Sequence, residues 1–197
     1  MVKINKLSKL KPFDVHLPKK QTSPCVFSSP HSGTNYTPEF LSSSQLDPSV
    51  LRRSEDSFVN HLFSTSPNFG SPLISANFPR AYLDVNREPY ELDPEMFSDP
   101  LPSFVNTSSG KVALGLGTIA KSVASGAPIY KRSLSWAEAE HRIETLYFPY
   151  HAALKQLLVT TRARLGAALL IDCHSMPSRD EYTQRSQTLH RADIVLG

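Results

Sequence analysis

The chain predicts an α/β domain, and three observations carry that expectation. A short apolar run over residues 24–29 gives way to Pro30-His31-Ser32-Gly33, and a second over 167–171 gives way to Asp172-Cys173-His174-Ser175-Met176. Between them lies a long helix-patterned stretch that opens at Ser135. Apolar runs bounded by turn residues read as buried strands. Open α/β sheets place functional side chains just past the carboxyl ends of their strands. His31 and His174 stand at such positions, and two strand-edge histidines can converge on one metal ion with a carboxylate completing the set.

Residues 1–20 read as a polar lead-in carrying Lys3, Lys6, Lys9, Lys11, Lys19 and Lys20, although Phe13, Val15 and Leu17 alternate as a short edge strand would. After the strand at 24–29, residues 37–46 suit a short helix closed by Asp47-Pro48. Phe58, Val59, Leu62 and Phe63 fall at helical spacing over 56–63, with Glu55 and Asp56 at the amino end where the helix dipole favours anions. Residues 72–78 predict a second strand, and 88–117, rich in Pro, Ser, Gly and Asn, a long loop of the kind that is usually functional.

The clearest helix begins at Ser135, where Glu138 three residues on completes a capping box. Ile143, Leu146, Tyr147, Tyr150, Leu154, Leu157, Leu158 and Leu165 sustain its period; Pro149 predicts a kink or a split into two helices and Gly166 a stop. Asp193 to Gly197 reads as a last, uncovered strand, as if the domain were cut there.

Composition excludes several function classes. With 197 residues, 40 % apolar and 20 % charged, the chain suits one globular domain over residues 21–197. A net charge of +3 without a basic, aromatic-interleaved stripe argues against nucleic acid. No apolar run approaches membrane-spanning length, no secretory signal precedes the domain, and Cys25 and Cys173 read as free buried thiols, so a cytoplasmic protein is expected.

Each candidate has a plainer alternative. A strand-end histidine is commonly structural, and it is the pairing of His31 with His174 that favours ligands. Gly33 suits a positive φ or a close backbone approach. Asp172 shares a strand face with His174 and could orient it, or merely cap a turn. Glu55 and Asp56 are the candidate carboxylates, or a solvated helix start. Arg80, Asn86 and Arg87 can fork onto a substrate carboxylate, or form ion pairs with Asp84 and Glu88. Gly115-Leu116-Gly117 reads as a flexible turn, because a dinucleotide loop needs a third glycine and a preceding strand. His151 lies on the apolar helix face and reads as a core histidine. No Gly-x-Ser-x-Gly elbow occurs.

Taken together, Pro30-His31-Ser32-Gly33, Ser54-Glu55-Asp56-Ser57-Phe58-Val59, Pro79-Arg80 through Tyr82-Leu83-Asp84-Val85-Asn86-Arg87, Tyr150-His151 with Leu154, and Leu170-Ile171-Asp172-Cys173-His174-Ser175-Met176 resemble, in order, the motifs of the N-formylglutamate amidohydrolases. The resemblance runs from about residue 24 to the last. It implies a three-layer fold similar to the zinc carboxypeptidases: a mixed, mostly parallel sheet with flanking helices and one zinc at its carboxyl edge. It implies that His31, Asp56 and His174 hold that zinc and that Arg80, Asn86 and Arg87 meet the substrate carboxylate. It turns His151 towards the site, beside Asp172 as a second candidate catalytic group. The implied partner is a small N-acyl amino acid, split into formate and a free amine.

Three ligands leave a zinc position open for water, whose pKa falls toward 7 there. The family's general base is expected beyond residue 197, which predicts a chain incomplete at its carboxyl end and slow or silent in catalysis. A non-catalytic remnant that binds metal or substrate is the alternative. If the chain is active, its base must come from among Glu55, Asp172 and Glu181.

Overall fold

The structure, a computed structural model, describes residues 11–123, 126–176 and 194–196. Its strands β1 (Phe13–His16), β2 (Cys25–Ser29), β3 (Leu73–Ala76) and β4 (Leu169–Asp172) form one mixed sheet in the order β1-β3-β2-β4. β2 runs parallel to both of its neighbours, and β1 pairs antiparallel with β3. The expected α/β class, with a mixed sheet and flanking helices, is the observed one. The Phe13/Val15 alternation does form an edge strand, so the lead-in contributes to the sheet. Phe13 packs edge-on against Tyr150 with ring centroids 6.0 Å apart.

The helices are α1 (Pro38–Ser43), α2 (Pro48–Leu51), α3 (Val59–Leu62), α4 (Gly110–Ala113), α5 (Trp136–Arg142) and α6 (Phe148–Leu165). α1 starts where Thr37 accepts a hydrogen bond from the Phe40 N–H and Pro38 occupies the first turn. α5 has the predicted capping box: Ser135 Oγ accepts from the Glu138 N–H at 3.2 Å, and Glu138 accepts from the Ser135 N–H at 2.9 Å. Arg132 forks onto the same carboxylate at 2.8 and 3.1 Å, and that hydrogen bonding holds the Glu138 carboxyl down at about 2. Gly166 ends α6 at φ +81°, its N–H bonded to the Arg162 carbonyl at 2.8 Å.

α6 packs on β2, and Val26, Ile74, Phe78, Leu83, Ile143 and Tyr150 form the centre of the core. Burying each such side chain stabilises by roughly 1.5–3 kcal/mol. Close approach, not positive φ, explains Gly33: a Cβ there would lie 2.1 Å from the Phe78 carbonyl oxygen.

Several expectations change. Residues 56–63 are not an amphipathic helix. α3 is a single turn, Phe58 precedes it at φ +67°, and Phe58 and Leu62 are exposed. The 3.6-residue spacing was real, but two of its four members find no core to face. Division into two helices, α5 and α6, is the outcome the structure has of the two expected at Pro149. A π-helical stretch, Ile143–Tyr147, precedes it, and the proline falls in the first turn of α6, where a missing N–H costs least. β4 is a sheet edge among the described residues, with Leu169 and Leu170 exposed rather than buried. Ile194, Val195 and Leu196 are exposed and not in a strand; Asp193 and Gly197, the ends of that expected strand, lie outside the described residues.

The capping box makes two measurable statements. Ser135→Ala should lower unfolding free energy by about 1 kcal/mol, read from denaturant midpoints at unchanged m-value. The folded-state pKa of Glu138 lies below its unfolded value of 4.5, so its contribution is fully present above about 4.5 and is lost as pH falls through about 2. The stability gap between wild type and Glu138→Gln should therefore narrow on acidification; a gap that is constant from neutrality to pH 2 contradicts the assignment.

Candidate metal centre and cleft

Parallel pairing positions the site. β2 lies between β3 and β4, with Ser28 opposite Asp172 and Ser29 opposite Ser75. The segments that leave the three strands in the same direction carry His31, His174 and the 80–87 run. The parallel strands place these exits side by side at one sheet edge. His31 follows β2 directly, His174 follows β4, and their ring centroids are 4.9 Å apart. Asp56 arrives from the segment before α3, fixed by its N–H donating to the His31 carbonyl at 3.0 Å. Phe58, two residues on, is the non-glycine residue at positive φ among the described residues; such backbone strain collects around functional sites.

His31, Asp56 and His174 offer ligand atoms that all lie within 4.8 Å of one another, a group that could hold a metal ion. Asp56 Oδ2 is 2.9 Å from His174 Nδ1 and 3.4 Å from His31 Nδ1, and Oδ1 accepts from Ser175 Oγ at 3.3 Å. Burial opposes ionisation of Asp56, but the two neighbouring histidines, the hydrogen-bonded His174 first, outweigh it and hold the carboxyl well below the carboxylate range. Of the two adjacent carboxylates, the structure brings to the histidines Asp56, the one the resemblance implies. Glu55 turns away and accepts from Tyr36 Oη at 2.7 Å, Ser57 Oγ at 3.1 Å and Arg52 Nε at 3.2 Å.

Both imidazoles rest on a second carboxylate at Nε2. His31 Nε2 donates to Asp84 Oδ1 at 2.7 Å, and His174 Nε2 donates to Asp172 Oδ2 at 2.9 Å. An ionised carboxylate can only accept, so Nε2 of each ring carries a proton. Nδ1 of each ring faces Asp56, and His174, with a carboxylate at hydrogen-bond distance on both nitrogens, is protonated at both. His174, between two carboxylates, is pushed up to about 9, most by the Asp172 hydrogen bond and then by Asp56.

Asp172 is itself held: Tyr150 on α6 donates to Ser28 Oγ at 3.0 Å, and Ser28 donates to Asp172 Oδ1 at 2.8 Å. A relay of three side chains, Tyr150, Ser28 and Asp172, thus sets the His174 ring.

Asp84 is the residue that reading the sequence missed as a site group; its motif neighbours took the attention. It is buried and binds three partners besides His31. Arg80 Nε donates at 3.0 Å, the Asn86 N–H at 2.8 Å, and Arg87 Nε lies 3.9 Å away. Burial works against its charge, yet His31, Arg80 and the Asn86 N–H keep it ionised well below the usual range. The only available signal was its position between two arginines after a strand.

The predicted substrate residues separate. Arg80 lines a cleft of about 390 Å³ with Asp56, Asp84, Gly117 and Met176. Asn86 Nδ2 lies 3.3 Å from His174 Nε2. Arg87 clamps a loop, donating from Nε to the Leu116 carbonyl at 2.9 Å and from Nη1 to the Asn86 carbonyl at 2.8 Å. With His151 it lines a second, shallower groove. His151 Nε2 donates to the Val85 carbonyl at 2.8 Å while its ring lies 4.4 Å from that of Tyr147, so it supports the 84–87 segment from behind. The expected ion pair of these arginines with Glu88 is not formed: Glu88 accepts from Asn106 instead, and both arginines turn to Asp84. Glu181, a fallback base, lies outside the described residues.

Known proteins resemble this chain in sequence and in fold. The chain is 25 % identical over 163 residues to an N-formylglutamate deformylase of Pseudomonas aeruginosa, covering 81 % of the chain and 54 % of the relative. It is 24 % identical to one of Pseudomonas putida, covering 79 % and 52 %. The chain spans about half the length of these curated relatives. The crystal structure of an N-formylglutamate amidohydrolase from Ralstonia eutropha JMP134 superposes with a TM-score of 0.79 at 39 % identity, over 85 % of this chain and 59 % of that one. A gene product of Agrobacterium tumefaciens shares the fold at a TM-score of 0.60 and 15 % identity, over 86 % and 58 % of the two chains. Residues 23–197 match the N-formylglutamate amidohydrolase family, and with the five ordered motifs gathered around one sheet edge, the chain belongs to that family.

Proposed function

We propose that this protein hydrolyses the amide bond of an N-formyl amino acid with the help of a divalent metal ion, N-formylglutamate being the substrate that its relatives' names indicate. One observation carries the metal reading: His31 Nδ1 is buried, lacks a hydrogen-bond partner and faces Asp56 Oδ2 at 3.4 Å. Leaving a buried nitrogen unpaired costs about 1–3 kcal/mol, and a ligand atom is the residue type's usual reason to carry that cost. Carboxylates on the opposite ring nitrogens, here Asp84 and Asp172, are the partners that fix the tautomer of metal-binding imidazoles.

His31, Asp56 and His174 would hold the ion, and this nitrogen and oxygen donor set suits zinc. When bound, the ion polarises the formyl carbonyl and acidifies water beside it. Placement of the three ligands at the carboxyl edge of a mixed sheet supports the likeness to zinc carboxypeptidases, and the free thiols Cys25 and Cys173 support a reducing, cytoplasmic setting. Arg80, fixed through Nε by Asp84, keeps its outer nitrogens for a substrate carboxylate at bidentate geometry. Asp172 spends both oxygens on Ser28 and His174, and so orients His174. His151 positions Asn86 and Arg87 through Val85.

Dialysed protein reloaded with zinc should retain one equivalent, and His31→Ala, Asp56→Ala and His174→Ala should lose it. Full stoichiometry in His174→Ala refutes the ligand set. Asp84→Asn keeps the ligands but loses the charge behind His31, and its metal affinity should fall about 10- to 100-fold.

Formate release from N-formylglutamate, abolished by a chelator and restored by zinc, tests the reaction itself. Arg80→Ala should raise KM, consistent with a loss of roughly 2–4 kcal/mol from an unpaired substrate charge. Metal and ligand binding without formate release would leave a binding protein in place of a hydrolase.

A further inference from the structure

We propose that Arg53 is the specificity residue of the cleft, selecting N-acyl amino acids that carry a second, side-chain carboxylate. This rests on the N-acyl amino acid reading above and deepens it. The cleft's own carboxylates are all committed: Asp56 to His31, His174 and Ser175, Asp84 to His31, Arg80 and the Asn86 N–H, and Glu55 to Tyr36, Arg52 and Ser57. The charged groups that the lining still offers a ligand are cationic. Arg80 uses only Nε, and among the described residues no hydrogen bond or ion pair holds the exposed Arg53 guanidinium.

Its neighbour Arg52 shows the contrast, turned onto Glu55 at 3.2 Å. The uncharged lining is small or apolar apart from serine hydroxyls, with Ala81, Leu116 and Ala120 in it. Two guanidinium groups lining one cleft fit a ligand with two carboxylates.

The ends can be assigned. Arg80 is fixed by Asp84, which also holds His31, so Arg80 stands at the reacting end and suits the carboxylate next to the scissile amide. Arg53 belongs to the turn Arg52–Ser54, and as an exposed residue it stands at the cleft's mouth, where a side-chain carboxylate arrives. The sequence motif pointed to Arg87 as the second arginine, but its guanidinium is spent on the Leu116 and Asn86 carbonyls and lines the other groove.

The test compares binding of N-formyl-L-glutamate and N-formyl-L-glutamine by calorimetry, with formate release followed in parallel. It uses zinc-loaded wild type, Arg53→Ala, Arg53→Lys and, as a control for net charge on α6, Arg164→Ala. A thermal melt of each variant reports its fold. Arg53→Ala should weaken the glutamate derivative about tenfold or more and leave the glutamine derivative unchanged, because only the former pairs with the guanidinium. Arg53→Lys should fall between, keeping the charge without the fork, and Arg164→Ala should match wild type.

Wild type that binds both ligands alike, or an Arg53→Ala effect equal on both, overturns the assignment. The two readings fail separately. Arg53-dependent binding without formate release removes the hydrolase and keeps the carboxylate site. Formate release that is indifferent to Arg53 and to the side-chain charge does the reverse.

Discussion

The site depends on the parallel pairing of β2 with β3 on one side and β4 on the other. Parallel strands leave the sheet in the same direction, a strand spacing apart, so whatever follows each of them is delivered to one edge. Here the three deliveries are His31, His174 and the 80–87 segment. An antiparallel β2–β4 pair would put the two histidines at opposite ends of the sheet. Register matters as much as direction. Ser28 sits opposite Asp172, which is why one hydroxyl can connect Tyr150 on α6 to the carboxylate that orients His174.

Asp84 is the second constraint. A buried carboxylate is stable as an anion only when donors surround it, and this one is surrounded by a proposed metal ligand, a proposed substrate anchor and a backbone N–H. His31 and Arg80 are thus fixed by the same anion, and moving one displaces the partner of the other. Behind the segment, His151 and Tyr147 hold the backbone of Val85 and Arg87, the tyrosine donating to the Arg87 carbonyl at 2.6 Å. α6 and the π-helical stretch that leads into it therefore brace the site twice, through Tyr150 on the β4 side and through Tyr147 and His151 on the 84–87 side.

Local chemistry made much of this legible. The capping box at Ser135, the stop at Gly166, the strand at β2 and the turn residues after it are written within a few positions of each other, and short-range hydrogen bonds satisfy them wherever the rest of the chain lies. Residues 56–63 failed because periodicity reports a face, not a partner for it: Val59 finds the core, while Phe58 and Leu62 do not. For a related reason, choosing Asp56 over Glu55 was beyond the pattern of the residues themselves, and only the family resemblance named Asp56. The two are adjacent, chemically alike and equally suited to a helix start, and only the partners that surround each, Tyr36 and Arg52 for one and the histidines for the other, separate them.

By itself, then, the sequence determined the fold class, the positions of the principal strands and helices, and the pair of histidines at strand ends, because each of these rests on residues close together in the chain. Tertiary structure decided which nitrogen of each ring faces Asp56, which arginine enters the cleft and which is spent on carbonyls, and that Asp84 links the two halves of the site. Those outcomes turn on hydrogen-bond partners dozens of residues apart, such as His31 with Asp84 and Ser28 with Asp172. Only the assembled sheet brings such groups within reach, since a hydrogen bond or ion pair acts over a few ångströms of space whatever the separation along the chain.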